Sequence, residues 1–301
     1  MPRRHSTLPV VTLLGASILW GLSWLPLRAI HAMGIDGVAL ILYTYGLLAL
    51  LFTPALWRAR HTLGRANARP LLLIALLGGG ANITFTVALI HGEVIRVMVL
   101  FYLLPAWSVV GGRLFLHERV DATRWLGVGL ALGGAFLILG GFSAVSGPPS
   151  WNDLTALGAG LLLALTNLAF RAAQAEPMVA KVGAMFYGCV LLAALLLLTG
   201  VEAWPVAVSG TAWGAIALYA CGWLLFANLG AQYGVTHLEA GRAAIILLME
   251  LLTAVVSASL IGGERMDSWE IVGGGLILSA ALLEALRDMK SPPYKIDAGA
   301  A

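Results

Sequence analysis

Apolar residues run through this chain in long stretches parted by short polar segments, from one end to the other. Crossing about 30 Å of hydrocarbon takes roughly 20 mainly apolar residues in a helix. Ten such stretches can be placed, with centres near Leu19, Leu47, Gly80, Leu104, Leu132, Leu162, Leu191, Trp223, Leu251 and Ala280. None shows the alternation of a membrane-barrel strand. The pattern predicts an all-α integral membrane protein of ten transmembrane helices.

Composition agrees: 60% hydrophobic residues, 36 glycines and a mean hydropathy of +0.90 exceed what one soluble core can hide. The start, "MPRRHSTLPVVTLLGASILWGLSWLPLRA", is basic, but its apolar run is too long for a signal-peptide core and further spans follow, so a retained first helix is expected. Cys189 and Cys221 both fall inside spans and offer neither a disulfide framework nor a metal spacing. The net charge of +3 reflects membrane sidedness and not nucleic-acid binding. With a cytoplasmic N-terminus, fifteen of the 18 lysines and arginines fall inside and only Arg28, Arg96 and Arg265 outside. Both termini are then cytoplasmic. Trp57, Trp125, Trp151 and Trp269 near span ends read as interfacial anchors.

The halves repeat. A shift of 146 residues lays Ala81-Asn82 over Ala227-Asn228, His91-x-Glu93-x-x-Arg96 over His237-x-Glu239-x-x-Arg242, and Glu118-Arg119-x-Asp121 over Glu264-Arg265-x-Asp267. Shifts of 143 and 142 pair Arg28 with Arg171 and Tyr45-Gly46 with Tyr187-Gly188. The expected division is residues 1–147, a second repeat at 148–290, and a cytoplasmic tail at 291–301. Five helices per repeat make the second copy enter the membrane from the other side, so the repeats are inverted around a central cavity. The two His-x-Glu-x-x-Arg triplets then lie on opposite faces, too far apart to share a metal. Each reads as a helix start, with an acid near the helix N-terminus.

Inverted repeats mark many alternating-access carriers. The segment "LFYLLPAWSVVGGRLFLHER" (100–119), the glycine-rich fifth and tenth helices and the repeat itself resemble the EamA-type ten-helix carriers of the drug/metabolite transporter superfamily. "FYLLP" and the overall pattern look most like the aromatic amino acid exporter branch of bacterial inner membranes. One departure is that the ninth helix has Leu251, preceded by Glu250, where the family often repeats the proline. The resemblance implies a basket around a cavity lined by helices 1, 3, 4, 6, 8 and 9, with helices 5 and 10 packing. Gly129-x-x-x-Gly133 and Gly275-x-x-x-Ser279 offer small faces for that packing. Pro105 should kink the fourth helix and free a carbonyl.

Candidate substrate contacts are polar or aromatic groups deep in the spans. Trp20 and Trp24 lie one turn apart on one stripe, with Leu163 and Asn167 at the related positions of the sixth helix. Asn82 and Asn228 form a second related pair, and each amide must meet a helix backbone, a side chain or a ligand. Tyr102 precedes Pro105, and Glu250 is the only acid placed centrally in a span. An acid there is protonated, paired or facing water, and so can take a substrate ammonium or a coupling proton, or simply hydrogen-bond in its neutral form.

One central acid does not make an intramembrane enzyme, which needs paired acids or a metal site. The short loops leave no domain for a receptor's partner. The expected function is export of small metabolites, aromatic and other apolar amino acids first, by alternating access, without cofactor or metal, with a monomer sufficient. A multidrug or other metabolite carrier, or a channel, is the alternative.

Overall fold

The structure is a computed structural model and describes residues 7–58, 68–115, 121–138, 150–173, 176–200, 204, 208–237 and 240–290. Among these, ten helical spans follow one another and no strand occurs. The first span is two helices, Leu8–Gly21 and Trp24–His31, followed by Gly37–Arg58 and Ala68–His91. The fourth is again two, Val94–Phe101 and Leu104–Phe115, and the fifth is Ala122–Ile138. The second half runs Trp151–Ala172, Met178–Leu198, an eighth span from Gly210 to His237, then Ala240–Leu260 and Ser268–Lys290. Seven spans are long and apolar enough to cross a membrane unaided; the apolar parts of the fifth, ninth and tenth are shorter. In hydrocarbon a backbone has no water to bond, so apolar sequence of this length closes its own hydrogen bonds as helix.

Local signals set the ends. Ser150 caps the sixth span in a reciprocal box with Asp153, each side chain accepting the other's backbone N–H. Gly200, at φ 75°, stops the seventh in a left-handed conformation that a side chain would disfavour. Trp57, Trp125, Trp151 and Trp269 are all exposed at span ends, as anchors require.

Packing follows a two-fold relation between the halves. The fifth span packs on the tenth and the second on the seventh, each pair related to itself, while third-on-sixth is matched by first-on-eighth and fourth-on-sixth by first-on-ninth. The fifth and tenth spans reveal the direction of the axis. A Cβ on Gly134 would lie 2.4 Å from the carbonyl oxygen of Gly273, and one on Gly127 would lie 3.9 Å from that of Ala280. The shift of 146 residues converts one pair into the other. The related helices are therefore antiparallel. A two-fold axis along the helices would leave them parallel, so the axis lies across them and the repeats are inverted.

This contact corrects the expected packing face. A Cβ on Gly129, Gly133 or Gly275 would meet no neighbouring helix within 4 Å, and Ser279 is exposed. Glycines at 127, 129, 133 and 134 offer more than one small stripe, and rotation of the helix, which spacing leaves free, selects Gly127 and Gly134.

Candidate functional site

Three backbone irregularities gather inside the bundle. The first span breaks at Leu22–Ser23, because Pro26 has no N–H for the carbonyl of Leu22. The fourth breaks at Tyr102–Leu103, where Pro105 leaves the carbonyl of Phe101 free, as expected; that oxygen lies against Gly160, where a Cβ would approach to 2.6 Å. The eighth carries a π-helical turn at Ala220–Leu224, a feature of spacing that no residue in the sequence announces. This turn aims Trp223 so that its indole N–H donates to the carbonyl of Leu19 at 2.9 Å.

Between the first, second, third and eighth spans lies a narrow cavity bordered by Trp20, Ser23, Tyr45, Asn82, Phe85, Thr86 and Tyr219, among others. It has room for about one water molecule. The Tyr45 hydroxyl donates to Asn82 Oδ1, and Asn82 Nδ2 donates to the carbonyl of Gly78 at 2.8 Å. Asn228 repeats only the second bond, to Leu224 at 2.8 Å. The spans around this cavity differ from the set the resemblance implies, since the second takes part and the fourth, sixth and ninth do not.

Trp20 and Asn82 thus share one cavity, but Trp24 faces elsewhere. Its indole N–H donates to Ser257 Oγ in the ninth span at 3.0 Å, and the Arg28 guanidinium stands 5.3 Å from its ring. The one-stripe expectation fails because the break at Leu22–Ser23 interrupts helical register between the two indoles. Tyr102 and Glu250 form a second cluster: the hydroxyl donates to the carbonyl of Leu247 at 3.0 Å beside the Glu250 carboxyl. Glu250 is half-buried, and a Cβ on Gly21 would lie 2.5 Å from its carbonyl oxygen, so the first and ninth spans meet backbone to backbone where the first one breaks. Leu163 packs at the edge of the core and Asn167 is exposed.

On the face opposite the N-terminus, charged groups tie the repeats together. Glu264 accepts the backbone N–H groups of Val94 and Ile95 at 2.9 and 3.0 Å, and Arg28 at 3.3 Å. Arg28 also donates to the carbonyls of Leu89, at 3.1 Å, and Gly92. Arg96 grips Asp153 with two bonds, 2.6 and 3.1 Å, and reaches Glu270 at 3.3 Å. Beside them, His91 bonds Asp36 at 3.2 Å and its carbonyl accepts Asn152 at 3.0 Å. Glu93 does sit at a helix start, but its side chain caps nothing; Glu264 of the other repeat does so instead. The side chains of His237, Glu239 and Arg242 lie outside the described residues. Asp153 and Glu270 were not singled out from the sequence, and Glu264 only for its repeat match to Glu118. The available signal was their position beside Arg28 and Arg96, two of the three basic residues assigned to that face.

The profile of the EamA-like transporter family matches residues 7–140 and again residues 150–285. A solved structure titled "Crystal structure of protein" is similar over 94% of this chain and 99% of its own, with TM-score 0.60 and 16% identity, which shows a shared fold and nothing more. No curated protein matches the chain. With the family domain present twice, in two inverted halves of five spans, the chain belongs to the EamA-like transporter family of the drug/metabolite transporter superfamily and is a multi-pass membrane transporter.

Proposed function

We propose that the protein exports small amphipathic metabolites, aromatic and other apolar amino acids first, by alternating access across a bacterial inner membrane with both termini cytoplasmic. The observation that carries this reading is a cavity of aromatic, hydroxyl and amide groups within the spans, below a mouth shut by Arg28–Glu264 and Arg96–Asp153. In this state it holds about one water, and once widened in the transport cycle its lining suits a ligand with an apolar body and one polar end. In this reading Trp20 and Asn82 bound the substrate site in the present state, and Tyr102 with Glu250 holds an ammonium or a coupling proton. Their repeat-related partners Leu163, Asn167 and Asn228 take over when the halves exchange conformations, and Trp24 seals the shut mouth. The repeats divide as 1–147 and 148–290, with 291–301 a tail. One chain holds a complete pathway, and no cofactor takes part.

Export assays over a panel of amino acids test the proposal. Cells expressing the protein should lose labelled aromatic amino acids faster than controls, and Tyr102→Ala and Glu250→Gln should each reduce that efflux. Efflux equal to the controls for the whole panel would refute the substrate class and leave family membership intact. Saturation and counterflow in proteoliposomes separate a carrier from a channel.

A further inference from the structure

Ser23 is only 1% exposed, and its hydroxyl has no hydrogen-bond partner although it borders the central cavity. The second repeat supplies an internal control. Thr166, at the related position, is equally buried at 1%, yet its hydroxyl donates to the carbonyl of Leu162 four residues back, at 2.7 Å. The corresponding carbonyl for Ser23 is that of Leu19, which already accepts the indole N–H of Trp223. Three other polar groups of the cavity are committed. The Tyr45 hydroxyl serves Asn82, the Asn82 amide serves Gly78, and the Thr44 hydroxyl serves Leu40 at 2.7 Å. A buried hydroxyl left without a partner is costly, and native proteins seldom keep one unless a water or ligand completes it.

We infer that Ser23 determines specificity by donating a hydrogen bond to an acceptor oxygen of the substrate, the carboxylate of a zwitterion, when the cavity, which in this state holds about one water, widens in the transport cycle to take the apolar part against Trp20 and Phe85. The inference rests on the transport reading above. Among the described residues no lysine, arginine or histidine borders the cavity, so none of them balances a net anion there. A zwitterion brings its own counter-charge, and a water holds the place of its oxygen when the site is empty.

The test is counterflow of labelled L-phenylalanine in proteoliposomes, competed by unlabelled L-phenylalanine or by phenethylamine, which lacks the carboxylate. Ser23→Ala should raise the half-inhibitory concentration of L-phenylalanine by roughly tenfold, the loss expected for one bond to an ionised oxygen, and leave that of phenethylamine unchanged. Ser23→Thr, which keeps the hydroxyl, should restore discrimination. Without ligand, Ser23→Ala should melt at the wild-type temperature, since it breaks no bond within the protein. If wild type exchanges L-phenylalanine and Ser23→Ala discriminates equally well, the inference is overturned and the transport reading stands. Equal loss of both compounds with a lower melting temperature also overturns it, by assigning Ser23 a structural role. If wild type itself neither exchanges nor binds L-phenylalanine, the inference falls, and the transport reading falls with it only if the whole amino acid panel fails as well.

Discussion

Trp24 and Asn167 hold the same position in the two repeats, yet Trp24 is 5% exposed with its indole bonded to Ser257, and Asn167 is exposed. Tyr45 and Tyr187 differ in the same sense, 2% against 43% exposed, the first bonded to Asn82 and the second to Thr53. Related positions of the two repeats therefore stand in different surroundings. Inverted repeats that exchange conformations open a shared site to alternate sides, and in the alternating-access mechanism proposed above the shut side is the one bridged by Arg28, Glu264, Arg96 and Asp153.

Glu264→Ala removes a cap on two backbone donors and the partner of Arg28 together. We expect the shut mouth to open more often. In a background with Cys189 and Cys221 replaced by alanine, Ser257→Cys should react with an impermeant maleimide about tenfold faster when Glu264→Ala is added. An unchanged rate would show that Glu264 does not hold this mouth.

Asp153→Ala should cost more stability than Asp153→Asn. The alanine breaks both the Ser150 capping box and the grip of Arg96, a half-buried pair whose charge-assisted bonds contribute about 1–3 kcal/mol. The asparagine can still accept one bond from each. Melting temperatures in detergent check the order.

Gly134→Leu should destabilise the joint of the fifth and tenth spans, because its Cβ would meet the Gly273 carbonyl at 2.4 Å. Overpacking of this kind costs about 1–3 kcal/mol or more. Gly129→Leu, with nothing within 4 Å, should melt as wild type does. The comparison of the two melting curves tests the orientation of the fifth helix directly.

Opposite threading of the halves predicts opposite labelling. Gly64→Cys, between the second and third spans, should react only from the cytoplasm, and Ala207→Cys, between the seventh and eighth, only from outside. Reaction of both from one side would contradict the inverted topology.

Span number, the repeat and its inversion are legible in the sequence by itself, because each is a property of order along the chain. Lipid forces long apolar runs into helices, a fixed offset joins Asn82 to Asn228, and five crossings per repeat invert the second copy. Rotation and distance are not legible in that way. The chain offers several glycine stripes in the fifth span, and only packing picks Gly134. Glu93 stands at the helix start as expected, but the carboxylate that caps the helix is that of Glu264, 170 residues away from Val94. Ser23 looks like any serine in a helix until the turn that holds it sends its backbone N–H to the carbonyl of Trp20, while that of Leu19 receives the indole of Trp223, 204 residues on. Periodicity assigns each residue to an element, but which partner reaches a given hydrogen-bonding group depends on how the helices turn and meet, and only the tertiary structure decides that.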